Sequence, residues 1–137
     1  MFFFYLKPFF TLHITTHPNP LKHPDIQNLR SYQNENNFLP EIKNTVDISQ
    51  YDIIFVGTPA WFSTVAMPVK TFLNQNNFKG KIIIPFITHG GGGGYDIAVD
   101  MDDISNGKVI QNALVVNGKG SDSLDNDIKN WLKSLKK

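Results

Sequence analysis

The sequence predicts a doubly wound α/β domain built on an open parallel sheet, and three observations lead to this prediction. Two short segments, residues 51–57 and 81–87, have buried-strand patterns, and residues 53–56 are apolar on both faces, as in a strand of a parallel sheet that is covered on both sides. Helical patterns alternate with the strand patterns, which favours β–α–β crossovers. Each apolar strand is followed by a loop of unusual composition, at the edge where open α/β sheets bind ligands.

The N-terminal part contains one predicted strand and one predicted helix. Residues 9–16 are short, apolar and rich in aromatic and β-branched side chains, which predicts a strand. Three prolines then mark residues 17–24 as a loop. Pro24 suits the first turn of a polar helix, which we expect over about residues 24–36.

The rest of the chain continues the alternation of strands and helices. Pro68 suits the first turn of a helix whose apolar face contains Val69, Phe72 and Leu73. Pro85 is awkward within the second apolar strand because it has no N–H for the ladder. The apolar residues Ile97, Met101 and Ile104 predict a further short helix, and residues 109–116 predict a strand. A final helix is predicted by five residues that share one helical face: Leu124, Ile128, Trp131, Leu132 and Leu135.

Composition sets limits on the class of protein. The 137 residues suit one domain over residues 1–137, of which 1–10 form an atypical N-terminus. A net charge of +1 gives no electrostatic footprint for nucleic acid, and the absence of cysteine excludes disulfides and thiolate chemistry. Residues 1–10 are apolar but too short to span a bilayer, and they lack the features of a signal peptide. We therefore expect a cytoplasmic protein without a membrane segment.

The loop after the first apolar strand, residues 58–64, has features of a ligand site. Pro59 stiffens it, and Trp61 brings a large π-face to the mouth of the sheet, where it can stack on a planar heterocycle. The alternative is that Trp61 and Phe62 simply cap the core. Periodicity alone does not separate the two interpretations.

The loop after the second strand contains Thr88, His89 and five consecutive glycines, residues 90–94. Glycine lets backbone approach a ligand closely, and N–H groups at a helix start can meet carbonyl or phosphate oxygens. The alternative is a flexible linker. The run does not fit the dinucleotide fingerprint, and the chain contains no GxxxxGK[ST] phosphate loop.

No catalytic or metal-binding constellation is predicted. His13 and His17 are four residues apart, but His13 falls on a predicted strand, so they do not share a helical face. The chain has no G-x-S-x-G nucleophile elbow. Asp100, Met101, Asp102 and Asp103 have the character of a solvated helix face. His89 is expected in the predicted pocket, where it could hydrogen-bond a ligand; the alternative is a positioning or merely exposed residue.

Taken together, the two loops and the segments around them resemble short bacterial flavodoxin-like proteins. The resemblance is carried by LPEIK at 39–43, YDIIFVGTPAW at 51–61, MPVKTFL at 67–73 and GKIIIPFITHGG at 80–91. It extends from about residue 11 to the C-terminus.

This resemblance implies a five-stranded sheet of order 2-1-3-4-5 that binds FMN non-covalently and transfers electrons. Thr58, Pro59, Ala60 and Trp61 would line one side of the isoalloxazine ring. Thr88, His89, Gly90 and Gly91 would line the other side and its polar edge. The implied role is an electron carrier or a small flavin reductase, whose redox partner the sequence does not identify.

Two departures from the family pattern bear on function. The family begins with a central strand, a T-G-N-T-like phosphate loop and a first helix, none of which is recognisable here, so we expect these to be missing or altered by N-terminal truncation. Residues 2–6 are one candidate to substitute for the strand. Where the family usually has Trp-Gly-Thr, this chain has Phe62-Ser63-Thr64. The alternative function is therefore a non-catalytic relative with weak or no FMN binding, acting as an interaction module or homo-oligomer.

Overall fold

A mixed sheet forms the centre of the molecule. A computed structural model describes residues 2–5, 11–13, 38–42, 46–94 and 96–136, the first two segments as backbone only. The strands are β1 (Phe2–Tyr5), β2 (Thr11–His13), β3 (Ile53–Trp61), β4 (Thr64–Val65), β5 (Ile82–His89), β6 (Lys108–Val109) and β7 (Leu114–Asn117). The order is β2-β1-β3-β5-β6, and β7 also pairs with β5 while β4 pairs with β3.

Three helices flank the sheet: α1 (Met67–Gln75), α2 (Ile97–Ile104) and α3 (Leu124–Ser134). All three were predicted from apolar periodicity, and Pro68 lies in the first turn of α1 as expected. The alternation of these helices with β3, β5 and β7 confirms the α/β class. The helix predicted over residues 24–36 lies outside the described residues.

The prediction of a wholly parallel sheet is wrong for β1. This strand lies between β2 and β3, in the central position that residues 2–6 were a candidate to fill, but it is antiparallel to both neighbours. Its backbone pairs Phe3 with Leu12 on one side and with Val56 on the other. Because β1 separates them and opposes both, β2 and β3 run in the same direction. The strand predicted over residues 9–16 is described only at 11–13.

The two faces of the sheet are covered unequally. Alternate residues of a strand point to opposite faces. Ile54 and Val56 are completely buried and belong to the main core, which includes residues of α1 and α2 such as Phe72 and Met101. Phe55 points to the opposite face, where its ring meets that of Trp131 of α3 edge-on at a centroid distance of 5.9 Å. No described residue of α3 is fully buried, so this second layer is the thinner one.

Pro85 sits in β5 without disrupting it because the neighbouring strand is interrupted at its level. The carbonyls of Lys81 and Ile83 accept hydrogen bonds from Lys108 and Ile110, whereas the N–H of Ile82 donates to Asp52. Odd-numbered residues of β5 therefore direct their backbone groups away from β3, and Pro85 belongs to this set. On that side β6 ends at Val109 and β7 begins only at Leu114, so the single strand predicted over 109–116 is broken.

Candidate functional site

The two segments predicted to form a site are brought together at the carboxyl edge of the sheet. β3 and β5 pair in parallel register, with Thr58 opposite Ile87 and Pro59 opposite Thr88. On the other side of β5, His89 pairs with Asn117, and the N–H of Gly118 donates a hydrogen bond of 2.8 Å to the carbonyl oxygen of His89. Three strand ends thus surround the candidate site.

Residues 58–61 are not a loop, contrary to the sequence-based prediction. They are the last four residues of β3, which turns back through residues 62–63 into β4 as a hairpin. Ala60 pairs with Val65, and Trp61 pairs with Thr64. Backbone pairing on this side satisfies N–H and C=O groups that a loop would leave to solvent, so the strand continues beyond its apolar core segment.

The hairpin turn has a strained backbone. Phe62 and Ser63 have φ values of 48° and 65° and are the described non-glycine residues with positive φ. Two consecutive positive φ values are the signature of a type I′ turn, in which Asn and Gly are preferred because side chains disfavour this region. The flavodoxin-like proteins that the sequence resembles usually have glycine where Ser63 stands, and Ser63 adopts a conformation that glycine accepts more readily.

Thr58 organises the hairpin from inside. Its side chain is buried, its hydroxyl donates to the carbonyl oxygen of Pro59 at 2.9 Å, and it accepts from the N–H of Ala66 at 3.1 Å. Ala66 is the residue that precedes α1. The Thr58 hydroxyl therefore joins the end of β3 to the start of α1, and it lies within the fold rather than on an open surface.

The aromatic residues at the hairpin differ in exposure. Trp61 is partly buried and packs against the main core, whereas 52% of Phe62 is exposed at the turn. Pro59 and Ala60 are also partly exposed, as is required of residues that contact a ligand. Trp61 therefore contributes to the core, as one interpretation predicts, and part of it remains exposed.

The glycine loop is folded back on His89. The imidazole Nδ1 accepts hydrogen bonds from the N–H groups of Gly91 at 3.1 Å and Gly93 at 3.0 Å. Both glycines have positive φ, at 133° and 95°, which L-residues rarely adopt. A flexible linker would not be held by two hydrogen bonds to one side chain, so the loop is a defined turn at the end of β5.

Free space lies beside most of the loop. A Cβ placed on Gly90, Gly91 or Gly93 would meet no atom within 4 Å. At Gly94 the situation is the reverse, since a Cβ there would lie 2.7 Å from Cγ2 of Val115. The first glycines therefore face open space, and the last one packs against β7.

Thr64 was not among the predicted site residues, yet it fixes the hairpin to α2. Its hydroxyl donates a hydrogen bond of 2.7 Å to Oδ2 of Asp100. Asp102 accepts from the N–H of Val109 at 3.2 Å, and Met101 is completely buried. Of the residues interpreted as a solvated helix face, Asp102 and Asp103 are exposed, whereas Met101 is buried and Asp100 is partly buried. A threonine next to a turn gives no signal of such a contact in the sequence.

A second feature of the molecule is an apolar cavity of about 530 Å³ between the sheet and α3. Phe55, Phe86 and Leu114 line it from the sheet, and Trp131 and Ile128 line it from the helix. Thr88 and Lys119 also border the cavity, so it approaches the carboxyl edge of the sheet.

In the part of the chain that the structure describes, histidines and carboxylates form no group of three or more that could hold a metal ion. None of the helices in that part of the chain has the length and apolar character needed to cross a bilayer.

Comparison with known proteins finds one matching family and several solved structures of similar fold. The family model described as flavodoxin matches residues 25–135. Two similar solved structures are candidate flavoproteins from Bacteroides eggerthii (TM-score 0.64, 24% identity, 87% of this chain and 74% of that chain) and Bacteroides uniformis (TM-score 0.64, 22% identity, 85% and 74%). A third is a flavoprotein in complex with FMN from Lactobacillus acidophilus (TM-score 0.56, 24% identity, 77% and 66%). No match to a curated protein was found.

Proposed function

Since this chain belongs to the flavodoxin family, we propose that it binds FMN at the carboxyl edge of β3 and β5 and serves as a redox protein, either an electron carrier or a small flavin reductase. The observation that carries the proposal is the pairing of Pro59 with Thr88, which sets the hairpin and the glycine loop side by side. The FMN complex of the Lactobacillus acidophilus flavoprotein supports the choice of cofactor.

The residues present fit the ring of FMN. Pro59, Ala60 and Trp61 would contact it from β3, with Trp61 offering a flat aromatic surface. Thr88, His89, Gly90 and Gly91 would contact it from β5, where the glycines leave open space and Thr88 has an exposed side chain. Thr58 would act indirectly, because its buried hydroxyl holds the hairpin.

The phosphate end of the cofactor fits less well. The sequence contains no T-G-N-T-like loop, and the described segment in the central position is the antiparallel strand β1. Each charge-assisted hydrogen bond to a phosphate contributes about 1.5–3 kcal/mol, so we expect a dissociation constant in the micromolar range rather than the nanomolar range.

Bound FMN would supply the electron-transfer chemistry, and the protein would supply position and environment. An apolar wall on the ring disfavours added negative charge on the reduced cofactor, as burial does for any anion. Trp61 would be part of this wall, since it is partly buried and packs against the core.

A titration with FMN tests the proposal. The chain has two tryptophans, so Trp131→Phe leaves Trp61 as the single indole reporter. We expect FMN to quench Trp61 emission and its own fluorescence in parallel, with saturation in the micromolar range. Trp61→Leu should weaken binding about tenfold through loss of stacking. Absence of quenching in folded protein would refute FMN binding.

A second candidate function is a relative that keeps the fold without the cofactor and acts as an interaction or self-associating module. The apolar cavity beside α3 favours it, because large exposed apolar surfaces mark interaction sites. Light scattering after size-exclusion chromatography, run with and without FMN, separates the two. Tight FMN binding by a monomer excludes the role of an interaction module, and a stable oligomer that does not bind FMN supports it.

A further inference from the structure

One imidazole nitrogen holds two amides of the glycine loop. Nδ1 of His89 accepts from Gly91 at 3.1 Å and from Gly93 at 3.0 Å, two and four residues further along the chain. A shared acceptor of this kind pins alternate residues of the loop to one point. The loop is thereby shaped by a side chain within the protein, before any ligand arrives.

The backbone of His89 is itself fixed. It is the last residue of β5, it pairs with Asn117 of β7, and its carbonyl oxygen accepts the N–H of Gly118 at 2.8 Å. The ring is half-buried. The loop is therefore attached, through one imidazole, to the end of β5 that pairs with β7.

The two hydrogen bonds also determine the tautomer of the neutral ring. A nitrogen that accepts cannot carry hydrogen, so the neutral ring carries its hydrogen on Nε2. Nε2 is then a donor. A planar heterocycle with carbonyl oxygens or unprotonated ring nitrogens at its edge offers the matching acceptors.

We propose that His89 is a positioning residue whose Nδ1 preorganises the glycine loop for a planar, acceptor-rich ligand, with Nε2–H as the donor that the ring retains. Without this template, five consecutive glycines would lose more conformational entropy on ordering than any other sequence of that length. Preorganisation moves this cost from ligand binding to folding. The ligand part of the proposal rests on the proposed FMN function, and the loop part does not.

Selective labelling tests the loop part in protein without ligand. The chain has ten glycines, so glycine labelled with ¹⁵N gives a simple amide spectrum. His89→Ala removes the acceptor. His89→Asn places Oδ1 close to the position of Nδ1, and His89→Gln instead places its amide near Nε2.

We expect the amides of Gly91 and Gly93 to exchange about tenfold faster in His89→Ala and in His89→Gln, and at nearly the wild-type rate in His89→Asn. Gly80 and Gly107 serve as internal references that should not change. The imidazole nitrogen shifts of the wild type should report the Nε2–H form. Unchanged exchange in His89→Ala, no rescue by His89→Asn, or an Nδ1–H ring would each overturn the proposal.

FMN titration of the same variants tests the ligand part. We expect about tenfold weaker binding for His89→Ala and recovery of part of that loss in His89→Asn, which restores the loop but not the Nε2 donor. Equal affinity of wild type and His89→Ala would refute the ligand role. If the wild type binds no FMN, the proposed function fails while the amide exchange still decides whether His89 shapes the loop.

Discussion

The hydroxyl of Thr64 lies 2.7 Å from Oδ2 of Asp100 and donates a hydrogen bond to it across 36 residues of sequence. Thr64 begins β4, and Asp100 lies in the first turn of α2. The contact therefore joins the hairpin on one side of the candidate site to the helix that follows the glycine loop on the other. We therefore expect it to help hold the two segments of the candidate site in position.

Thr64→Val should lower the free energy of unfolding by about 1.5 kcal/mol, because a hydrogen bond to a charged acceptor is lost while side-chain shape is retained. Urea denaturation followed by circular dichroism measures this. Thr64→Ser keeps the hydroxyl and is the matched control. A double-mutant cycle with Asp100→Ala should give a coupling energy of about 1 kcal/mol. Additive losses would show that the two residues act independently.

Ser63→Gly should stabilise the protein by about 1 kcal/mol, because a side chain in the left-handed region is strained and glycine is not. Ser63 has a φ of 65°, and no helix or sheet pairing is changed by the substitution. Ser63→Ala keeps Cβ and removes the hydroxyl, so it separates backbone strain from hydrogen bonding. Midpoints of urea denaturation measure both. If alanine stabilises as much as glycine, the strain argument is wrong.

The helices and apolar strands were predictable because each rests on a local pattern. Val69, Phe72 and Leu73 recur at helical spacing, and all three are buried in the main core. The residues predicted to meet at the site also follow from local signals, since parallel strands end at one edge. Pro59 and Thr88 are therefore neighbours although 29 positions separate them in the numbering, as their parallel register shows.

The features of the fold that the sequence did not predict depend on contacts that produce no local sequence pattern. The direction of β1 is set by its pairing with β2 and β3, and four apolar residues fit either direction. The break between β6 and β7 lies beside Pro85, which has no N–H for the ladder and stands 24 positions before Val109 in the sequence. The sequence predicts His89 in the pocket but not the hydrogen bonds that its Nδ1 accepts from Gly91 and Gly93, because a histidine before glycines can as readily point to solvent. Long-range pairing decides the direction of β1 and the position of the break between β6 and β7.

Gly94→Ala should destabilise the protein by about 1–3 kcal/mol, since the added Cβ would lie 2.7 Å from Cγ2 of Val115 and overpacking costs energy of this size. Gly90→Ala is the matched control, because a Cβ there meets no atom within 4 Å. Thermal unfolding followed by circular dichroism compares the two.

Val115→Ala should rescue Gly94→Ala, because it removes both Cγ atoms that the new methyl group would meet. Val115 is 45% exposed, so Val115→Ala alone should lower the free energy of unfolding by less than 1 kcal/mol, about half of the loss expected for truncating a buried valine. If the double variant is no more stable than Gly94→Ala, a backbone requirement at Gly94 explains the loss better than the contact with Val115.

Trp131 is the main attachment of α3, and its replacement should release this helix before the rest of the fold. Its ring meets Phe55 edge-on at 5.9 Å, and its Nε1–H donates a hydrogen bond of 2.8 Å to the carbonyl oxygen of Asn112. Trp131→Phe should cost about 1 kcal/mol through the lost hydrogen bond, and Trp131→Ala about 3 kcal/mol because the ring is lost as well.

Hydrogen exchange distinguishes local release from global unfolding in these two variants. With no described residue of α3 fully buried, the helix has few other contacts to hold it, so its amides should lose protection first in Trp131→Ala. The amides of β3 and β5, which border the main core, should remain protected because Ile54 and Ile83 keep their contacts. Equal loss of protection in α3 and in β5 would instead show that both faces of the sheet unfold as one unit, despite their unequal burial.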